Sequence, residues 1–242
     1  MVLQILYITL LAVVANFVGT LSGFGLGTIM TPVMLLFLPF GQALFLICII
    51  HWFHNIWKIL LFKKGINWGL FFYFGIPGII FSYLGASLVQ EGSAILRAMF
   101  GGFLIMYVLF LFIRPTFSIP SNWKSALLGG AISGFSAGIF GIRGATKSAF
   151  LTAYNLPKAS YLVTVGAISF LIDTTRLLTY YFSEGIRLEQ SLVWGLLIFI
   201  PASFLGAKIG QYFVNFIPQR YFRSLVALFL LILGVRLLLF PF

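Results

Sequence analysis

The stretch GIFGIRGATKSAF, residues 138–150, decides the fold, because it places three glycines and two cations inside an otherwise apolar chain. Glycine weakens a helix and permits sharp backbone turns, so residues 138–144 predict a broken helix that restarts just after the break. A restarted helix exposes free backbone N–H groups and the positive end of its dipole. Arg143 and Lys147 lie four residues apart, so both would point from the same face of that helix.

The composition around this stretch is that of an integral membrane protein. Of the 242 residues, 61% are hydrophobic, 18% are aromatic and only 8% are charged, which lies far outside the range of soluble domains. In lipid the backbone must satisfy its own hydrogen bonds, and a helix of about 20 residues spans the hydrocarbon core. The sequence therefore predicts an all-α integral membrane protein. The first apolar run, residues 2–18, lacks a basic start and a small-residue cleavage site, and is interpreted as a retained span.

Ten membrane segments follow from the apolar runs, and the second and seventh are short and rich in glycine. Their predicted bounds are 2–21, 23–39, 41–62, 67–89, 94–113, 124–139, 141–156, 158–182, 190–213 and 220–240.

The basic residues between segments favour a model in which all ten segments cross the membrane. In that model one face carries the basic loops and has no acid, so these loops are predicted to be cytoplasmic and the N-terminus outside. This is the pattern of a multi-pass protein of the cytoplasmic membrane. The net charge of +11 then reflects topology, and no nucleic-acid partner is expected. The loops in question contain Lys63, Lys64, Arg114, Lys124, Lys158, Arg220 and Arg223.

An internal repeat organises the chain. At a constant spacing Gly23 matches Gly141, Pro39 matches Pro157, His51 matches Ser169, Asn55 matches Asp173 and Lys58 matches Arg176; after small shifts Ser82, Gly85 and Ala86 match Ser203, Gly206 and Ala207, and Arg97 matches Arg223. Five segments are an odd number, so the second repeat must be inverted, as in many secondary transporters. The sequence predicts one transmembrane domain made of a first repeat, 1–117, and a second repeat, 118–242, each with a glycine-broken pair of short helices.

The two cations of the opening stretch need a compensating partner, because an arginine at the centre of a membrane helix costs about 2.5–3.5 kcal/mol. No acid is close to them in sequence. Cations beside a helix N-terminus indicate an anion site. In the first repeat, GTLSGFGLGTIMTP (19–32) is the matching stretch; its alternative interpretation is close packing of helices through small residues. The predicted substrate-binding residues are Ser22, Gly23, Gly25, Gly27, Thr28, Gly141, Arg143, Gly144, Thr146 and Lys147.

A second polar stripe lies on segments three and eight, where His51, Asn55 and Lys58 match Ser169, Asp173 and Arg176 on one face of each helix. These residues are candidates for coupling or gating. The alternatives are a local ion pair between Asp173 and Arg176, a Lys58 side chain that reaches the membrane interface, and histidines that fill space as aromatic side chains with one hydrogen bond. The candidates for coupling or gating are His51, His54, Asn55, Lys58, Asp173 and Arg176.

Four stretches together resemble the TauE/SafE family of membrane transporters, also called the sulfite exporter or sulfonate permease family: SGFGLGTIMTPVMLLF, IIHWFHNIWKILLFKKGINW, FGIPGIIFSYLGA and GIRGATKSAFLTAYNLPKASYLVT with IDTTRLLTYY. The resemblance implies transport of sulfite or small organosulfonates by alternating access between inverted repeats. The family's motif regions fall on Gly23, Gly25, Gly27 and Pro32, and on Gly141, Arg143 and Gly144. The second motif departs from the usual pattern by its inserted Arg143 and Lys147, so a carboxylate or a doubly charged anion is an alternative substrate.

A secondary transporter of small anions accounts best for the repeat, the broken segments and the buried cations together. An anion channel is the alternative class. An intramembrane enzyme is not expected, because neither the histidines nor Cys48 have the partners that a nucleophile or a metal centre needs. The chain has no ATP-binding motif, and no cofactor or metal is predicted. The expected partners are a small anionic substrate and the lipid bilayer, with a homodimer left open.

Overall fold

The computed structural model describes residues 2–22, 26–61, 65–89, 93–113, 119–213 and 219–240, and within these ranges all regular structure is helical. The α-helices are α1 (Val2–Ser22), α2 (Leu26–Met34), α3 (Phe40–Leu61), α4 (Trp68–Ala86), α5 (Ala94–Ile113), α6 (Trp123–Phe140), α7 (Gly144–Leu151), α8 (Lys158–Leu178), α9 (Gln190–Phe213) and α10 (Gln219–Leu239). A 3₁₀ turn, Thr152–Tyr154, follows α7, and a π-helical turn, Thr179–Ser183, follows α8. The all-helical prediction is confirmed for these ranges.

The predicted helix break in the second half is confirmed. Helix α6 ends at Phe140, and Gly141 then adopts a left-handed conformation with φ of 70°. This backbone conformation suits glycine, because a side chain there meets the following carbonyl. Residues 142 and 143 are not helical, and α7 begins at Gly144. In the first half α1 ends at Ser22 and α2 begins at Leu26; the predicted break residues 23–25 lie outside the described ranges.

Helices α2 and α7 contain fewer residues than the membrane segments predicted for them. Helix α2 has 9 residues and α7 has 8, against predicted segments of 23–39 and 141–156. At about 1.5 Å per residue, each regular helix is roughly 12–14 Å long, which is less than half of a hydrocarbon core of about 30 Å. Helix α2 is followed by turns from residue 35, and α7 is followed by the 3₁₀ turn and then by Asn155, whose φ of 45° is left-handed. That both segments cross the membrane stays a prediction.

Within the described ranges, four helices are long and apolar enough to cross a membrane by length and composition: Phe40–Trp57, Trp68–Ala86, Ser160–Ser183 and Gln190–Phe213. Further apolar helical stretches are shorter, at Leu3–Val18, Ala94–Phe110 and Val226–Leu239. These helices support a multi-pass membrane protein. The count of ten crossings, the side of the loops and the N-terminus outside remain predictions.

The chain divides into two compact units, and each combines helices from both predicted repeats. Unit 1 contains residues 1–44, 90–117 and 188–242; unit 2 contains residues 45–89 and 118–187. In unit 1, α1 packs mainly on α9, and α5 packs on α10. In unit 2, α4 packs mainly on α6 and also on α8. The predicted boundary between residues 117 and 118 separates two sequence repeats and not these two units. That boundary stays a prediction.

The main helix pair of each unit is built from repeat-matched helices, because α4 matches α9 and α6 matches α1. Both pairs meet where a repeat-matched glycine lets two backbones approach closely. A Cβ on Gly85 would lie 2.5 Å from the carbonyl oxygen of Phe135 on α6, and a Cβ on Gly206 would lie 2.1 Å from that of Val13 on α1. Any larger side chain would separate these helices. This pairing is what an internal repeat would produce.

Candidate functional site

Arg143 lies in unit 2 between the end of α6 and the start of α7. Its backbone carbonyl accepts the first hydrogen bond of α7, from the amide of Lys147 at 2.8 Å, so Arg143 is the residue that caps the helix N-terminus. The side chain is only 3% exposed. The helix break predicted from glycines therefore places a buried guanidinium at the positive end of a helix dipole, where a cation is unfavourable.

The carboxylate of Asp173 on α8 compensates Arg143. Both terminal nitrogens of the guanidinium donate to it, Nη1 to Oδ1 and Nη2 to Oδ2, in the two-pronged geometry that makes arginine–carboxylate pairs strong. Asp173 is fully buried. The compensating partner that the sequence analysis required for Arg143 thus comes from a helix 30 residues further along the chain.

Asp173 also binds Arg176, so two guanidinium groups share one carboxylate. Nη1 of Arg176 donates to Oδ1 at 2.9 Å, which confirms the local ion pair predicted for these two residues. Asn55 on α3 donates from Nδ2 to Oδ2 at 2.8 Å, and the Cys48 thiol lies 3.7 Å from Oδ1. Arg176 is 1% exposed. Asn55 and Asp173, which the repeat matches to each other, therefore meet at the centre of the cluster.

His51 on α3 contacts the same guanidinium. Its Nδ1 lies 3.0 Å from Nη2 of Arg143. A guanidinium has only donors, so Nδ1 must accept, and the neutral imidazole then carries its proton on Nε2. This contact fits both interpretations of His51, a proton-carrying residue and an aromatic side chain with one hydrogen bond.

Tyr180, in the π-helical turn after α8, links Arg176 to the end of α6. The phenol oxygen accepts from Arg176 Nε at 3.4 Å and Nη2 at 3.3 Å, and its O–H donates to the carbonyl of Gly138. Gly138 itself packs against α4, since a Cβ there would lie 2.4 Å from the carbonyl oxygen of Ser82. The last turn of α6 is thus held from two sides, and this fixes where the chain leaves the helix towards Arg143. Π-helical turns are frequent at functional sites.

Lys147, one turn into α7, forms a second contact with α8. Its Nζ donates to Oγ of Ser169 at 2.8 Å, and the side chain is 8% exposed. Ser169 lies one turn before Asp173 on α8. Arg143 and Lys147 therefore reach two successive turns of the same helix, which confirms that they point from one face.

The remaining predicted site residues fall in different places. Gly141 is buried in the break, and Gly144 and Thr146 are half-buried in the first turn of α7. Gly27 and Thr28 are buried in α2, which belongs to unit 1, whereas the Arg143 cluster belongs to unit 2. His54 is half-buried on α3. Gly23, Gly25 and the side chains of Ser22 and Lys58 lie outside the described residues.

Two members of the cluster, Cys48 and Tyr180, were missed from the sequence. Neither carries a formal charge, and both lie in apolar runs that predict only buried helix. Helical spacing was the usable signal, because Cys48 lies three residues before His51 and Tyr180 lies four residues after Arg176.

The cluster carries more positive than negative charge. Two buried guanidinium groups share one carboxylate, and Lys147 places a further ammonium group on α7. Nε of Arg143 is buried and makes no hydrogen bond within the described part of the chain. Buried donors of this kind are rare in proteins and call for a partner such as a water or an ion.

The profile of the sulfite exporter TauE/SafE family matches residues 8–237. The chain belongs to this family. One similar protein is a probable membrane transporter protein of Methanocaldococcus jannaschii. It is 27% identical to this chain, and the match covers 93% of this chain and 92% of the relative. No solved structure gives a significant match. Members of the TauE/SafE family are membrane transporters, and the chain is therefore a membrane transporter and not an enzyme, as the sequence predicted.

Proposed function

We propose that this TauE/SafE protein is a secondary transporter of a small oxyanion, sulfite or a short organosulfonate, and that Arg143 and Lys147 bind the anion. The observation that carries the proposal is the sharing of one carboxylate by two buried guanidinium groups. Charges in a membrane protein interior are costly, and those that persist mark substrate or ion pathways. A bound anion would balance the excess positive charge.

The chemistry of the donors favours an oxyanion over a halide. A guanidinium presents parallel N–H groups that match two oxygens of one sulfite, sulfonate or carboxylate group. The ammonium of Lys147 supplies a point charge one helical turn away, and backbone N–H groups of α7 add the positive end of a dipole. A carboxylate meets the same requirements, so it stays the alternative substrate class.

Alternating access is the proposed mechanism, in which two arrangements of the helices open the site to opposite sides of the membrane. The repeat-matched helix pairs within the two units support it. Gly27 and Thr28 retain a predicted role in binding from sequence alone. We place the protein in the cytoplasmic membrane with its basic loops on the cytoplasmic side, as the positive-inside rule predicts.

Transport into proteoliposomes tests the proposal. Radiolabelled sulfite, a short sulfonate and a short carboxylate are offered separately to vesicles that contain the natural chain or Arg143→Ala, with and without an imposed pH gradient. Saturable uptake of one anion by the natural chain, lost in Arg143→Ala, is expected. Arg97→Ala is the matched control, since it also removes a guanidinium from the membrane region. Equal uptake by Arg143→Ala and the natural chain would refute the site.

A further inference from the structure

Most N–H donors of Arg143 already form hydrogen bonds with other residues of the protein. Nη1 and Nη2 donate to Asp173, and Nη2 also contacts His51. Each terminal nitrogen has two protons, so both protons of Nη2 are assigned. Within the described residues Nε is the one nitrogen of Arg143 that makes no hydrogen bond. The Nε proton and the second Nη1 proton are left for an arriving anion, but the anion cannot take the parallel Nη1–Nη2 pair unless the Asp173 carboxylate leaves.

On this basis, and resting on the proposed function, we infer that the transported anion displaces the carboxylate of Asp173 from Arg143. Asp173 is then a resident counter-ion that competes with the substrate and sets its affinity. Oxyanions and the Asp173 carboxylate have the same two-oxygen geometry, so they compete for the same pair of N–H groups.

Asp173 can leave Arg143 without becoming an isolated buried charge. Its other contacts come from residues that do not depend on Arg143: Arg176 donates to Oδ1 at 2.9 Å, Asn55 donates to Oδ2 at 2.8 Å, and the Cys48 thiol lies 3.7 Å from Oδ1. A buried carboxylate without partners would be strongly unfavourable, whereas one with an arginine and an amide is tolerated. Each guanidinium would then have one anion: Arg176 would keep Asp173, and Arg143 would hold the substrate.

The alternative is that Asp173 is a fixed partner that only orients Arg143. The two roles predict opposite effects of the isosteric substitution Asp173→Asn. If Asp173 competes, removing its charge frees Arg143 and tightens anion binding about tenfold, since a hydrogen bond between charged groups no longer has to be broken. If Asp173 only orients Arg143, the same substitution weakens binding.

Isothermal titration calorimetry of the purified chain with sulfite, a short sulfonate and a short carboxylate distinguishes a competing Asp173 from an orienting one. Glu189→Gln is the matched control, because it makes the same chemical change at an exposed acid. About tenfold tighter binding in Asp173→Asn, with natural affinity in Glu189→Gln, is expected. Weaker or unchanged binding in a folded Asp173→Asn chain would overturn the inference.

A second measurement needs no substitution, because Asp173 is the single aspartate in the sequence. Cell-free synthesis with aspartate labelled at its carboxyl carbon gives one infrared reporter of this carboxylate. Addition of the bound anion is expected to shift its stretching band as the contact with Arg143 is lost. An unshifted band, in a natural chain that binds the anion, would overturn the inference and leave the proposed function intact. A natural chain that binds none of the three anions would overturn both.

Discussion

The two short helices α2 and α7, which the repeat matches to each other, have a cation at opposite ends. At the C-terminal end of α2, the Arg97 side chain from α5 donates to the backbone carbonyls of Leu35 and, at 2.8 Å, Leu38. At the N-terminal end of α7, Arg143 is held by Asp173. The carbonyl end of a helix attracts a cation, and the N–H end repels it.

The proposed role of Arg143 rests on this difference between the two arginines. Arg97 occupies a position that helix electrostatics favours, and it donates to the carbonyls of Leu35 and Leu38 in the turns that follow α2. Arg143 occupies a position that opposes the dipole, inside a membrane protein, and it is tolerated because Asp173 offsets its charge. A residue that is present although its position is unfavourable for the stability of the fold is a candidate for function.

The largest expected effect is that of Arg143→Lys, for which Arg97→Lys is the comparison. Arg143→Lys keeps the charge but loses the two-pronged contact, so the ratio of maximal transport rate to KM should fall about 100-fold, or ~3 kcal/mol. Arg97→Lys should leave this ratio within about twofold and lower the free energy of unfolding by about 1 kcal/mol. Proteoliposome transport and thermal melting in detergent measure the two effects. Equal losses of transport in both variants would remove the distinction between the arginines.

A smaller effect is expected from Tyr180→Phe. This variant keeps the ring but removes the hydroxyl that joins Arg176 to the Gly138 carbonyl, so the helix end before Arg143 is less well fixed. A lost buried hydrogen bond of about 1–1.5 kcal/mol should raise KM for the anion roughly five- to tenfold. Tyr181→Phe is the control, because the neighbouring Tyr181 is exposed. An unchanged KM in a folded Tyr180→Phe chain would show that α6 does not position Arg143.

The break before α7 gives a third prediction. Gly141→Ala forces a side chain into the left-handed conformation with φ of 70°, which should lower the free energy of unfolding by about 1–2 kcal/mol. Gly102→Ala on α5 is the control, since no atom lies within 4 Å of a Cβ there and helix propensity should make it neutral or slightly stabilising. Thermal melting distinguishes the two. A Gly141→Ala chain as stable as the natural one would mean that the break does not depend on this glycine.

The smallest effect is expected from Ser169→Ala, which removes the hydroxyl that accepts from Lys147. Lys147 keeps its charge, so KM should change only about two- to threefold. Ser87→Ala is the control, because the exposed Ser87 hydroxyl bonds only within its own helix end. A change as large as that of Arg143→Lys would make Lys147, and not Arg143, the main anion contact.

The helices were largely predictable from the sequence because each depends on local pattern. Segment 190–213 coincides with α9, and the glycines of 138–144 marked the break between α6 and α7. The segments predicted for α2 and α7 were too long, since apolar residues continue past Met34 and Leu151, where the regular helices end. Apolarity reports burial in lipid or protein, and it does not report where a helix stops.

The centre of the candidate site was predictable in its residues but not in its pairing. Sequence spacing reveals neighbours three or four residues apart, as for Asp173 and Arg176, because these share a helix face. The pairs Arg143–Asp173 and Asn55–Asp173 depend on how separate helices pack, which no local pattern records. The repeat did match Asn55 to Asp173, and a meeting of matched residues is what sites at repeat interfaces show.

Equilibrium binding of the transported anion is the measurement that tests the central claim most directly. Calorimetry on the purified natural chain, Arg143→Ala and Arg97→Ala, each checked for folding by thermal melting, reports the role of Arg143 without the steps of transport. We predict saturable binding of one oxyanion per chain that is retained in Arg97→Ala and lost in Arg143→Ala. Binding of equal strength in Arg143→Ala would contradict the claim that this buried guanidinium holds the anion.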